Sequence, residues 1–233
     1  MSFKTEKTIG ILFIAGAVLL FIPYTILTII FDYPDILRQD AAEVLTRFHA
    51  GGASIIAVWW LFAMVGLPLI PAYTLLGQKL EGKIAFVKWA TQLGIIGLIV
   101  QMIGLLRWTF VVPALANTFV NAPDEATKTA ATVAFQTFHQ FGGVLLGEHL
   151  GQLFTILWTV LISYAFAKLK IMATWIHWLG YIASGIYLLA QGELLATVIT
   201  DFPQIEWAGF LGSTLWLVWL IVVGIKLRRT VIN

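Results

Sequence analysis

Two histidines stand in matching frames, Arg47-Phe48-His49-Ala50-Gly51-Gly52 and Phe138-His139-Gln140-Phe141-Gly142-Gly143. In each, an aromatic residue precedes the imidazole and a glycine pair follows it. Neutral imidazoles from two helices can ligate haem iron axially, and adjacent glycines let a flat porphyrin approach the backbone. Arg47 and Arg107 would then hold the propionates through charge-assisted hydrogen bonds. On that reading b-type haem sits on His49, His139, Arg47 and Arg107. The same residue types also fit a divalent transition metal, with His49 and His139 joined by His149, Glu148 or Glu193. Mixed histidine and carboxylate ligation suits zinc, manganese, iron or copper without choosing among them. At an α-helical step of about 100°, His149 lies about 80° around the helix from His139, whereas Glu148 falls nearly opposite, so His149 is the better companion. The plainer alternative is that each histidine only caps or hydrogen-bonds its own helices.

Other polar residues within apolar runs have structural readings beside their functional ones. A carboxylate at membrane depth is costly and is usually paired, which makes Arg107 the natural partner for Glu148 or Glu193. Glu148 and Gln152 share an α-helical face at i and i+4, and Gln101 reads as an interhelical hydrogen-bonding residue. Gly143, Gly147 and Gly151 recur every four residues, a stripe that permits close helix packing and, beside His139, cofactor clearance. His177, between Trp175 and Trp178, reads as an interfacial residue.

The elements that must position these groups are membrane spans. Of 233 residues, 60% are hydrophobic and only 11% charged, less than half the charge of a typical soluble domain. Apolar runs at about 9–31, 53–76, 86–116, 144–167, 171–198 and 208–225 are each long enough for a transmembrane helix of roughly 20 residues. The fold expected is all-α: one domain over residues 1–233, an integral membrane six-helix bundle. Its first run reads as an uncleaved span.

Lys4, Lys7, Lys79, Lys83, Lys88, Lys168, Lys170, Lys226, Arg228 and Arg229 occupy the two ends of the chain and alternate loops, whereas the remaining loops are acidic, with Arg38 and Lys128 the basic exceptions fully outside a candidate helix. The positive-inside rule therefore places both termini in the cytoplasm. Counting roughly 1.5 Å per residue from the basic rim raises His49 to roughly 45 Å and His139 to roughly 43 Å if their helices are straight. The second and fourth helices would then extend beyond the outer surface and present both histidines at one level. Arg107 and His149 come out at roughly 28 Å, near the outer interface. Breaks at Gly51-Gly52, at Gly66, Pro68 and Pro71, or at Gly142-Gly143 would lower the histidines, and Pro113 would bend the third span.

Several classes are excluded or disfavoured. Without cysteine there is no disulfide, thiol nucleophile, cysteine-ligated iron-sulfur cluster or covalently attached c-type haem. No phosphate-cradling loop, nucleophile elbow or helical two-histidine zinc-protease motif occurs. No lysine lies deep enough for a retinal Schiff base, the two halves show no inverted repeat, and no basic-aromatic pattern points to nucleic acid.

The strings Phe31-Asp32-Tyr33-Pro34-Asp35-Ile36-Leu37-Arg38, Arg107-Trp108-Thr109-Phe110-Val111-Val112-Pro113 and Gly147-Glu148-His149-Leu150-Gly151, with Gly212 and the basic tail at Lys226 to Arg229, resemble bacterial six-helix membrane proteins grouped as a domain of unknown function. The resemblance covers nearly the whole chain. It implies a bacterial inner-membrane location and transfers no activity. The residues support an outward-facing His/Arg/Glu site that binds haem or a transition metal for electron transfer or redox chemistry. The alternatives are a non-enzymatic scaffold or accessory subunit, and a small-molecule carrier or receptor. Expected partners are the lipid bilayer and a membrane protein or a second copy of the chain.

Overall fold

The computed structural model describes residues 3–229. Among these the chain is helical, without strands. The helices are α1 (Phe3–Phe31), α2 (Ala41–Met64), α3 (Leu69–Leu80), α4 (Val87–Phe110), α5 (Val112–Val120), α6 (Glu125–Phe138), α7 (Gly151–Leu169), α8 (Thr174–Leu189), α9 (Gln191–Ala196) and α10 (Glu206–Leu227). A short 3-10 turn covers Asp35–Arg38, and between α6 and α7 the helix widens into a π-helix over His139–Leu150.

Six stretches are long and apolar enough to cross a membrane: Lys4–Phe31, Ala41–Leu80, Val87–Val120, Glu125–Leu169, Thr174–Ala196 and Trp207–Leu227. The second and fourth contain 40 and 45 residues, about twice the roughly 20 needed to span a bilayer. The chain is thus a multi-pass α-helical membrane protein in contact with lipid.

The long stretches are not straight. Gly52 has φ 54° and ψ −144°, so α2 breaks three residues after His49. A side chain at that positive φ would be strained, whereas glycine adopts it without steric cost. Gly66 and Pro68 separate α2 from α3, and Pro113 sits in the first turn of α5, where its missing N–H removes no helical bond. The straight rise behind the heights expected for His49 and His139 is therefore not the geometry of these helices: one segment is kinked at glycine and the other is π-helical.

Internal contacts divide the chain into two compact units. The first comprises the chain up to Val18, Gly66–Val100 and the chain from His149; the second comprises Leu19–Val65 and Gln101–Glu148. In the first, α8 packs against both α7 and α10. Tyr73 stacks on Trp158 with centroids 3.7 Å apart, and Phe13 meets both rings edge-on at 6.0 and 6.2 Å. Gly94 makes room for this stack, since a Cβ there would lie 2.7 Å from Trp158 Cγ and 2.8 Å from Tyr73 Cδ2. The Trp219 indole donates to the Ile176 carbonyl at 3.0 Å, which ties α10 to α8. His177, read from sequence as interfacial, is buried in this unit because the helix turns it inward while Trp175 and Trp178 remain exposed.

In the second unit, α2 and α6 pack on α5. Its core is aromatic. Trp59 and Trp108 stack at 4.9 Å with an 11° interplanar angle, and Phe31 meets Phe48, Trp59 and Trp108 edge-on at 5.9, 6.3 and 5.5 Å. Such pairs add about 0.5–1.5 kcal/mol each beyond the area they bury. The apolar positions Ala41, Val44, Leu45 and Phe48 fall on one helical stripe and are all buried, which leaves His49 exposed, about 100° off the stripe.

At the start of α6 the Asp124 carboxylate accepts from the Thr127 backbone N–H at 2.7 Å, a regular N-cap. This bond holds the Asp124 carboxyl below its ordinary pKa of 3.8. A depressed acid stabilises the fold above its unfolded pKa, and that contribution disappears as pH falls through the folded value. The protection of the Thr127 amide, its exchange rate relative to the unstructured rate at the same pH, is expected to fall below about pH 4, and Asp124→Ala is expected to remove that dependence. An unchanged pH profile in the variant would show that another group caps the helix.

Candidate functional site

The second unit buries one guanidinium. Arg107, near the end of α4, is only 7% exposed. Its Nη1 donates to the Gly104 carbonyl one turn earlier, and its Cζ lies 5.1 Å from the centroid of the Trp108 ring. Its Nε makes no hydrogen bond among the described residues. A guanidinium can donate five hydrogen bonds, so one backbone acceptor and a cation–π contact leave much of that capacity unused.

Room for the guanidinium comes from Gly143. A Cβ at that position would collide with Arg107 Nη2 and lie 2.6 Å from its Cζ. The neighbouring Gly147 has another role: a Cβ on Gly104 would fall 2.6 Å from Gly147 Cα, so here two backbones meet. The glycine stripe read from sequence as packing or clearance therefore divides, with Gly147 packing against α4 and Gly143 clearing space for Arg107.

His139 lies beside this guanidinium. Both ring nitrogens are buried and neither makes a hydrogen bond among the described residues. The imidazole is packed between Phe135, centroids 5.4 Å apart, and Trp108 at 6.1 Å, nearly edge-on. Arg107, Glu148 and Arg38 all act on it electrostatically, and the Leu37 backbone lies near it.

Glu148 reaches this group because of the π-helix. Hydrogen bonding from i to i+5 gives between four and five residues per turn, so the nine residues from His139 to Glu148 make about two turns. Glu148 returns to the face of His139. The α-helical expectation of nearly opposite faces, with His149 as the better companion, is corrected by this widening. Glu148 accepts from Arg38 Nη2 at 2.6 Å, with side-chain exposures of 21% for Glu148 and 27% for Arg38. Its charge also attracts Arg107, which Arg38 repels. The expected Glu148–Arg107 ion pair is thus taken by Arg38, a loop residue that sequence reasoning had placed only among the basic exceptions. Arg38 ends the 3-10 turn, which is anchored by the fully buried Ile36.

The remaining expected site residues lie elsewhere. Arg47 pairs with Asp32 at 2.6 Å and with Glu43 at 3.5 Å on an exposed face, beside the exposed His49. In the first unit, His149 Nδ1 is 2.6 Å from Gln191 Oε1, and Gln191 Nε2 donates to Gln152 Oε1 at 2.7 Å. Gln191 is 8% exposed and His149 and Gln152 are half-buried, so this polar chain links the end of the π-helix and the start of α7 to α9. Glu193 lies in the first turn of α9. Gln152 thus pairs with Gln191, and Glu148 pairs with Arg38. Among the described residues, no three of His, Asp and Glu are placed together to hold a metal.

The chemistry of the Arg107 group follows from its charges. Two guanidiniums, Arg107 and Arg38, and the Glu148 carboxylate leave a net charge of +1 around a ring whose nitrogens are unsatisfied; the ring itself packs on Trp108 and Phe135. Buried polar atoms without partners call for an explanation. Neither the curated proteins nor the solved structures searched contain a match. A family model does match, over residues 8–224, and the chain belongs to the family that it describes, a domain of unknown function (DUF4386).

Proposed function

We propose that the chain is a carrier or receptor in the membrane for a small monoanion with an apolar body, bound through a carboxylate to Arg107 and His139. The observation that supports this reading is the buried Arg107 guanidinium, with its Nε unpartnered, next to a His139 whose two nitrogens are unpartnered as well. A carboxylate satisfies a guanidinium in a planar, two-bond geometry. One negative charge neutralises the group, whereas a dianion would leave an excess charge in apolar surroundings, which is costly at membrane depth. Trp108 and Phe135 supply the surface for the apolar body. Glu148, held by Arg38, is the resident carboxylate that an incoming anion must displace or accommodate.

The test is thermal unfolding of the detergent-purified protein titrated with acetate, benzoate and octanoate. A ligand at 100 times its Kd raises stability by about 2.7 kcal/mol, or about 5–10 °C for a chain of this size. Octanoate and benzoate are expected to exceed acetate, and Arg107→Gln is expected to abolish the response. No response to any carboxylate, or an undiminished one in Arg107→Gln, would sink the reading.

The unpartnered His139 nitrogens also favour a second reading, iron or another transition metal on His139, with haem propionates on Arg107 and Arg38 and an electron-transfer role. An absorption spectrum as isolated and after reduction, with metal analysis, separates the two. A Soret band or stoichiometric metal lost in His139→Ala supports the second; a colourless, metal-free protein from haem-supplied cells removes it.

A further inference from the structure

A second charged site lies in the first unit, where the start of α1 meets the end of α10. Gly10 and Gly224 are the crossing point. A Cβ on Gly224 would stand 2.7 Å from the Gly10 carbonyl oxygen, and one on Gly10 would collide with the Gly224 carbonyl. Only glycine at both positions lets the backbones approach this closely. Lys7 lies about one turn before Gly10 and Arg228 about one turn after Gly224. The close crossing therefore brings their side chains to one place.

They line a cavity of about 380 Å³ together with Arg229 and Ile225. The described lining thus contains three cations, one aliphatic side chain and no carboxylate. The nearest acid in sequence, Glu6, is turned away: it is fully buried and accepts from Lys79 Nζ at 2.7 Å. Three exposed cations brought to one place repel one another, and a negatively charged occupant lowers that repulsion.

Apolar exposed residues continue from the cavity along both helices. Ile11 and Val18 are each 46% exposed on α1, and Ile225 and Val218 are 39% and 38% exposed on α10. Each pair is seven residues apart, so it lies on one helical face. A phosphate on the cations with alkyl chains along these faces matches the chemistry of an anionic phospholipid, for which basic pockets between transmembrane helices are suited.

We propose that Lys7, Arg228 and Arg229 form a binding site for the phosphate of an anionic phospholipid, whose acyl chains lie along the exposed apolar faces of α1 and α10. This site is separate from the Arg107 group, so failure of either proposal leaves the other standing.

The experiment uses the full chain, stripped of lipid in detergent and titrated with phosphatidylglycerol, phosphatidylcholine or inorganic phosphate, with thermal unfolding and native mass spectrometry as readouts. Phosphatidylglycerol is expected to raise the melting temperature and to remain bound in the spectrometer, and phosphatidylcholine to do neither. Each cation contributes roughly fivefold in affinity, so Lys7→Gln/Arg228→Gln/Arg229→Gln is expected to weaken phosphatidylglycerol binding about a hundredfold. The charge-preserving Lys7→Arg/Arg228→Lys/Arg229→Lys keeps binding within a few fold. Equal binding of both lipids, or full binding by the neutral triple variant, overturns the proposal. An equal shift with inorganic phosphate alone overturns the lipid as the source. If the neutral variant does not fold, the charge-preserving variant and the comparison of the two lipids still decide.

Discussion

Glu148→Gln is expected to bind small carboxylates about tenfold more tightly than the natural chain while being less stable in their absence. The first effect follows from competition. Glu148 already supplies Arg38 with a carboxylate at 2.6 Å and acts on Arg107 and His139 electrostatically. An added anion at the same cations stands within a few ångströms of that negative charge. At an effective dielectric of about 20, two like charges about 5 Å apart repel by roughly 3 kcal/mol; recovering half of that gives about tenfold in affinity. The second effect follows from the loss of the carboxylate that pairs with Arg38 at 2.6 Å. Removing one member of a buried pair costs about 3–5 kcal/mol. These side chains are about one-fifth to one-quarter exposed, so solvent screening reduces the expected cost to about 2 kcal/mol, or roughly 4–8 °C in melting temperature. The measurement is a carboxylate titration of both proteins by thermal unfolding, with saturating octanoate expected to return the variant to near the natural stability. Affinity that is unchanged or weaker in Glu148→Gln would mean that Glu148 assists binding, and the competition would be wrong.

The six spans were legible in the sequence because each is a long apolar run, and no other secondary structure can satisfy a lipid-exposed backbone of that length. The apolar runs beginning near residues 53 and 144 leave out the polar amino-terminal parts of their helices, Ala41 to Gly52 and Glu125 to Gly143, which only the expected outward extension of the second and fourth helices to His49 and His139 reaches. These parts are amphipathic, so a search for continuous hydrophobicity passes over them, although the stripe of Val44, Leu45 and Phe48 carries the helical period. That same stripe fixes the phase that turns His49 away from the core. Matching residue types around His49 and His139 could not show that one imidazole is exposed and that the other has buried nitrogens.

The Arg107 group was only partly legible. Arg107, His139 and Glu148 stand out as ionisable residues within apolar runs, and that signal is physical, since such residues are retained at membrane depth only with partners or a role. Arg38 gave no such signal: it lies in a loop 110 residues from Glu148, and nothing local marks the pairing. The angular relation of His139 to Glu148 depended on the helix type. The pair Gly142-Gly143 with Gly147 was the available sign, because glycine-rich stretches are where the i to i+4 ladder is most readily rearranged. A count at 100° per residue could not anticipate a π segment twelve residues long.

Gly143→Ala is expected to destabilise the protein and to abolish its carboxylate response, although the same change in an ordinary helix is favourable. Alanine exceeds glycine in helix propensity by about 0.8–1.0 kcal/mol, so without a neighbour the variant would be more stable. Here the added methyl collides with the Arg107 guanidinium, itself 7% exposed and held by Gly104 and Trp108. Overpacking of this kind costs about 1–3 kcal/mol, which outweighs the propensity gain, and the displaced guanidinium no longer presents its free donor beside His139. Arg107→Met offers a thinner, uncharged end that can yield to the methyl. In that background Gly143→Ala is expected to become neutral or stabilising, a coupling of at least about 1 kcal/mol in a double-mutant cycle read by thermal unfolding. Gly147→Ala is the control. Its added methyl would meet the Gly104 backbone, with Cα 3.1 Å away, and a contact of backbone against backbone cannot be relieved by shortening Arg107. Rescue of Gly143→Ala but not of Gly147→Ala would separate a glycine that makes room for a charged group from one that packs two helices. Equal behaviour of the two would show that the glycines around Arg107 serve packing alone and that the guanidinium is not held where an anion could meet it.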